Sequence, residues 1–163
     1  MAAMEAEGVE LYTIGHSNRG IGEFIEVLKA YGIEVVIDIR RFPTSKWPWF
    51  RAEELKASLE SAGIGYVYLG ELLGGYREGG YRAYMETEGF REGLRKLIEI
   101  ARSRRAAIMC SEKVVYRCHR RFVSRALQEM GARVMVWDPM FEEGEIGELG
   151  FEPVGGPAEA DLA

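Results

Sequence analysis

A chain of 163 residues with 47% hydrophobic content can close one two-sided core and is too short for two ordinary domains. No apolar run reaches membrane-spanning length, and the first residues mix alanine with glutamate without the basic and apolar regions of a secretory signal, so a cytoplasmic protein with no membrane partner is expected. The net charge of −5 does not exclude an anionic ligand: beyond Pro139 lie Glu142, Glu143, Glu145, Glu148, Glu152, Glu159 and Asp161 with no lysine or arginine, which leaves the preceding body slightly basic.

After an N-terminal extension over 1–8, the apolar run 9–14 predicts a first strand. Ile21, Phe24, Ile25, Leu28 and Tyr31 then recur at helical spacing until Gly32 stops the run. Residues 35–39, with three β-branched neighbours at Val35, Val36 and Ile37, predict a buried central strand. A loop with Pro43, Trp47, Pro48 and Trp49 follows, then a helix over 52–62 with Leu55 and Leu59 inward, and a strand over 66–69. Gly70, Gly74, Gly75, Gly79 and Gly80 read as a long flexible connection. Phe90, Leu94, Leu97, Ile98 and Ala101 mark an amphipathic helix, 106–110 a fourth strand, Phe122 to Met130 a further helix ending at Gly131, and 134–137 a fifth strand. This alternation predicts an α/β fold: a single domain over 9–138 with a mostly parallel five-stranded sheet and helices on both faces. Residues 139–163, rich in Gly, Pro and Glu, read as an acidic C-terminal tail.

Both histidines and both cysteines fall in two short stretches, Gly15-His16-Ser17-Asn18-Arg19 and Cys110 to Arg121. Each lies where a predicted strand gives way to a predicted helix, and loops at the carboxyl ends of parallel strands form the ligand crevice of such sheets. In the first stretch Gly15 permits a sharp turn and Ser17 or Asn18 can cap the helix, while His16 and Arg19 are expected to project toward the crevice. Asp38 and Arg40 end the second strand and share a face, because strand side chains alternate with period two. They read either as an ion pair capping the sheet or as an anion-holding arginine with an orienting carboxylate. Ser45, Lys46, Trp47 and Trp49 form a loop that either covers the crevice, with indole faces for a planar ring, or packs onto the body.

In the second stretch Cys110 ends a strand, Glu112 follows two residues later, and Cys118 and His119 open a helix among Arg117, Arg120 and Arg121. A cysteine at a helix N-terminus among guanidinium groups has a lowered pKa, the chemistry of a nucleophile, and Glu112 beside it can act as acid or base. The plainer reading has Cys110 as a small buried hydrophobe and Cys118 as an inert helix residue. Thiols are expected here rather than a disulfide. Asn18 and Gln128 are the only amides beside abundant Glu and Arg, a thermophile-like composition in which intracellular disulfides also occur. Two Cys and two His suit zinc, but adjacent Cys118 and His119 cannot readily reach one ion together, so no metal ligands are assigned. Arg120, on the first helical turn, is expected to contribute little to the core.

Taken together, Gly15-His16-Ser17, Asp38-Ile39-Arg40 with Pro43 and Ser45, Leu73-Gly74-Gly75, Cys110-x-Glu112 and Cys118-His119-Arg120 resemble the domain of unknown function 488 family. The resemblance runs from about Tyr12 to Asp138. It implies an α/β fold and a shared polar constellation, and it brings no reaction and no cofactor with it. Where that family has an open Ser-Lys-x-Pro loop, the aromatic Ser45-Lys46-Trp47-Pro48-Trp49 is expected to alter the pocket mouth.

Two function classes follow. In the first, an enzyme acts on an anionic substrate, a nucleotide or nucleic-acid fragment, held by Arg40, Arg117 and Arg120 with Asp38, Ser45 and His119 alongside; Cys118 or Cys110 is the nucleophile, and Glu112 or His16 moves protons. In the second, a non-catalytic module binds a nucleotide or nucleic acid in the same crevice. A metal-binding protein ranks behind both. The residues specify no oligomeric state.

Overall fold

The computed structural model describes residues 5–16, 19–110, 119–137 and 147–148. Five parallel strands build the sheet: β1 (Glu10–Gly15), β2 (Val35–Asp38), β3 (Gly65–Tyr68), β4 (Ala106–Cys110) and β5 (Arg133–Trp137). A sixth, β6 (Gly147–Glu148), pairs antiparallel with β5, so the acidic segment contributes one short edge strand. The order is β3-β2-β4-β1-β5-β6. Because β1 to β5 run the same way, the connections leaving β1, β2 and β4 all emerge at one edge of the sheet.

Period-two alternation divides the sheet's side chains between two cores. Leu11, Val35, Ile37, Ile39, Ala106, Ile108 and Val134 face one side. There they meet Leu94, Leu97 and Ile98 of α5 (Glu88–Ser103) and Phe122, Val123 and Leu127 of α6 (Arg120–Glu129). Tyr12, Ile14, Val36, Ala107 and Met109 face the other, against Phe24 and Leu28 of α1 (Ile21–Ala30) and Leu55 and Leu59 of α2 (Ala52–Ser61). Strands buried on both faces are why their sequences read as near-continuous apolar runs. Helix α5 is capped by Thr87, whose hydroxyl accepts from the Phe90 N–H at 3.3 Å. Helix α1 begins after Gly20 with no side-chain cap; Ser17 and Asn18, the expected caps, lie outside the described residues.

The glycine-rich stretch is not the flexible connection that its composition predicts. It carries two short helices, α3 (Gly70–Leu73) and α4 (Tyr81–Tyr84), and both Leu73 and Tyr81 are buried in the core. Gly70 and Gly74 serve close approach. A Cβ on Gly70 would lie 1.8 Å from the Arg40 carbonyl oxygen, and one on Gly74 would lie 2.5 Å from the Arg41 Cα. The backbone of this stretch is thereby pressed against the loop that leaves β2.

Candidate functional site

The carboxyl edge of the sheet is knitted together by direct bonds between the elements that meet there. Gly15 of β1 is in register with Cys110 of β4, and the next residue, His16, donates its N–H to the Cys110 carbonyl at 2.9 Å. The Ile39 N–H, just past β2, reaches the Met109 carbonyl at 3.0 Å. His119, at the start of α6, donates its Nε2–H to the Ile39 carbonyl at 2.8 Å. Arg120 donates from Nε to Cys110 Sγ at 3.1 Å and from a terminal nitrogen to Thr13 Oγ1 at 2.7 Å. The ends of β1, β2 and β4 and the start of α6 therefore form one polar crest.

Within this crest the side chains divide between the two faces of the sheet. Asp38 and Arg40 point to the α1/α2 side and form a buried two-pronged ion pair, Nε to Oδ1 at 2.9 Å and a terminal nitrogen to Oδ2 at 2.7 Å. The Tyr66 hydroxyl also donates to Oδ2 at 2.6 Å, and the Arg40 N–H to Oδ1 at 3.1 Å. The other terminal nitrogen of Arg40 donates to the carbonyls of Phe50 at 2.7 Å and Thr44 at 3.3 Å. These bonds spend most of the guanidinium's donors inside the protein and favour the ion-pair reading of Asp38 and Arg40. Burial, with the Asp38 carboxylate next in effect, raises the Tyr66 hydroxyl pKa, so it remains a donor.

His16 and Arg19 do not project from the loop as expected; both are buried. The His16 ring stacks on Phe50 at 4.1 Å and 16°, and the Trp49 indole N–H donates to the Arg19 carbonyl at 2.9 Å. The tryptophan loop is thus folded onto the body through a short 3-10 turn, Pro48–Phe50, with Phe50 in the core and Trp47 and Trp49 packed against it. Ser45 turns the same loop, accepting from the Trp47 N–H at 3.0 Å.

On the α5/α6 side sit Thr13, Cys110 and Arg120. Arg120 is fully buried, the largest such side chain among the described residues, and this corrects the expectation of a first-turn residue with little share in the core. The spacing Arg120, Val123, Leu127 places it on the apolar stripe of α6. Cys110 is disulfide-bonded, which corrects the expectation of thiols. Compartment and composition bear on whether a disulfide survives, whereas pairing depends on whether the fold brings two sulfurs together. The chain's other cysteine, Cys118, lies outside the described residues, as do Glu112 and Arg117.

Tyr81 was not singled out by its sequence context, yet it backs the crest: its hydroxyl donates to the Leu73 carbonyl at 2.7 Å and its ring packs on His119 and Phe122. His119 itself is partly buried, and desolvation lowers its pKa to about 4 against the bond to Ile39, with Arg120 and Arg77 lowering it further. Its imidazole is neutral at pH 7 and its Nδ1 is an acceptor. Between pH 6.5 and 4 the unfolded chain takes up a proton that the native state refuses, so stability should fall with falling pH, by at most about 1.4 kcal/mol per unit, and level off below about 4. Urea denaturation of wild type and His119→Gln across this range checks the assignment: the variant should lose most of the slope, and an unchanged slope would place it elsewhere.

Among the described residues, no group of three His, Cys, Asp or Glu side chains is placed to hold a metal ion, and no helix is long and apolar enough to cross a membrane.

A parallel sheet covered by helices on both faces defines a single-domain α/β protein. The family model described as Domain of unknown function DUF488 matches residues 20–80 and 77–127, and the chain belongs to that family. The matched segments include Asp38, Arg40, Cys110 and His119 and begin after His16. No curated protein and no solved structure matched the chain.

Proposed function

We propose that this protein is an enzyme acting on an anionic substrate, a nucleotide or nucleic-acid fragment, at the carboxyl edge of its sheet. The observation that carries the reading is the convergence of three strand ends and the start of α6: His16 and Arg120 bond to Cys110, and His119 bonds to the Ile39 carbonyl just past β2. That edge is where open parallel sheets take their ligands. The sequence adds Glu112, Arg117 and Cys118 to the segment joining β4 to α6.

In this reading Cys118 is the nucleophile in the reduced protein, Glu112 exchanges protons, and Arg117 supplies charge to the substrate. Arg120 and His119 act from behind, one on Cys110 and one on the β2 backbone, and hold the crest in shape. Asp38 and Arg40 serve the same purpose from the opposite face. Because Cys110 is disulfide-bonded, a thiolate becomes available only after reduction.

The test is turnover of a panel of nucleotides and phosphoesters with and without a thiol reductant. Turnover that needs the reductant and falls to background in Cys118→Ala is the expected result. Turnover retained in Cys118→Ala removes the cysteine from the chemistry. No turnover, with nucleotide binding intact, would favour the non-catalytic binding module.

A further inference from the structure

Most large apolar side chains of the described chain are covered, but Phe42 is 61% exposed and Tyr76 is 74% exposed. They come from segments far apart in sequence and lie together, ring centroids 6.2 Å apart. Their placement is held firmly. Arg41 donates to the Tyr76 carbonyl at 2.5 Å and its guanidinium lies 5.5 Å from the Phe42 ring centroid. The Tyr68 hydroxyl donates to the Arg41 carbonyl at 2.5 Å, and Gly74 presses on the Arg41 backbone. Tyr76 has φ of 60°, the one non-glycine in the left-handed region among the described residues. A tyrosine held so, with its ring in solvent, is not explained by packing.

Charge indicates the occupant. From Ile39 to Ala52 the chain carries Arg40, Arg41, Lys46 and Arg51 and no acidic residue. Arg40 is neutralised by Asp38, which leaves three cations along the loop that presents Phe42. Lys46 and Arg51 are exposed. Rigid aromatic rings beside a basic edge match alternating bases and phosphates, and a duplex, whose bases are stacked inward, could not use the rings. We propose that Phe42 and Tyr76 are a stacking platform for the bases of single-stranded nucleic acid, with Arg41, Lys46 and Arg51 meeting its phosphates. The proposal rests on the reading above and narrows its substrate to a strand that crosses this platform on the way to the crest.

Fluorescence anisotropy with labelled oligothymidylate and oligouridylate of about 12 nucleotides, a length within the usual site size, tests it. Phe42→Ala removes an exposed ring, and Tyr76→Gly removes the other while relieving the positive φ, so both should keep the wild-type melting temperature. Each is expected to weaken single-strand binding about tenfold, and a duplex of the same length should bind more weakly than either strand. Equal affinity in the variants, equal affinity for duplex, or no binding overturns the platform. A concentration-dependent dimer in sedimentation that Phe42→Ala abolishes, without oligonucleotide binding, would assign the rings to a second copy instead. A mononucleotide titration separates the two readings: the variants should leave it unchanged. Oligonucleotide binding without any turnover would sink the enzyme reading and leave the platform standing.

Discussion

Asp38→Ala is expected to destabilise the protein by about 3–5 kcal/mol, the cost of stranding one member of a buried pair. Arg40 is only 5% exposed, so loss of the carboxylate leaves its guanidinium bonded to the Phe50 and Thr44 carbonyls in the apolar α1/α2 layer with no counter-charge from Asp38. The Tyr66 hydroxyl and the Arg40 N–H lose their acceptor at the same time. For a domain whose total stability is roughly 5–15 kcal/mol, this is a large share. Asp38→Asn keeps the shape and one acceptor and should cost less than the alanine change. Urea denaturation checks both, and a loss below about 1 kcal/mol for the alanine variant would mean that the pair is worth no more than an exposed one.

Arg120→Ala should be the second most damaging change, at about 3 kcal/mol, combining a lost charge-assisted hydrogen bond to Thr13 with the void left by a fully buried side chain. Arg120→Met returns much of the volume without the donors and should recover part of the loss. Thermal denaturation that ranks wild type above methionine and methionine above alanine supports this. An alanine variant as stable as wild type would show that α6 can close over the gap and that Arg120 is dispensable to the core.

The difference between those two residues shows how far the sequence could be read. Asp38 and Arg40 share a face by simple alternation, and their pairing follows from that spacing. The strand over Ala106–Cys110 stands out for a different reason, since small and apolar residues fill it from end to end, as burial on both faces requires. Arg120 was obscured by its charge, although its spacing to Val123 and Leu127 already put it on the buried stripe of α6. The burial of His16 has no local signal, because a loop histidine ordinarily meets solvent and the ring it stacks upon, Phe50, comes 34 positions onward. The glycines at 70 and 74 look like flexibility in sequence; only the approach of Arg40 and Arg41 in space shows them to be contact points. Tyr81 carries no local signal at all, because its partners Leu73, His119 and Phe122 come from two separate segments, α3 and the start of α6.

Calorimetric titration of a nucleoside 5′-monophosphate against the same nucleoside without phosphate tests most directly whether the crest takes an anion. The phosphate-bearing ligand should bind and the neutral one should not, and the affinity should fall as salt is raised, since the attraction is between charges. Equal affinity for the two ligands, or binding indifferent to salt, would contradict an anion site at the carboxyl edge.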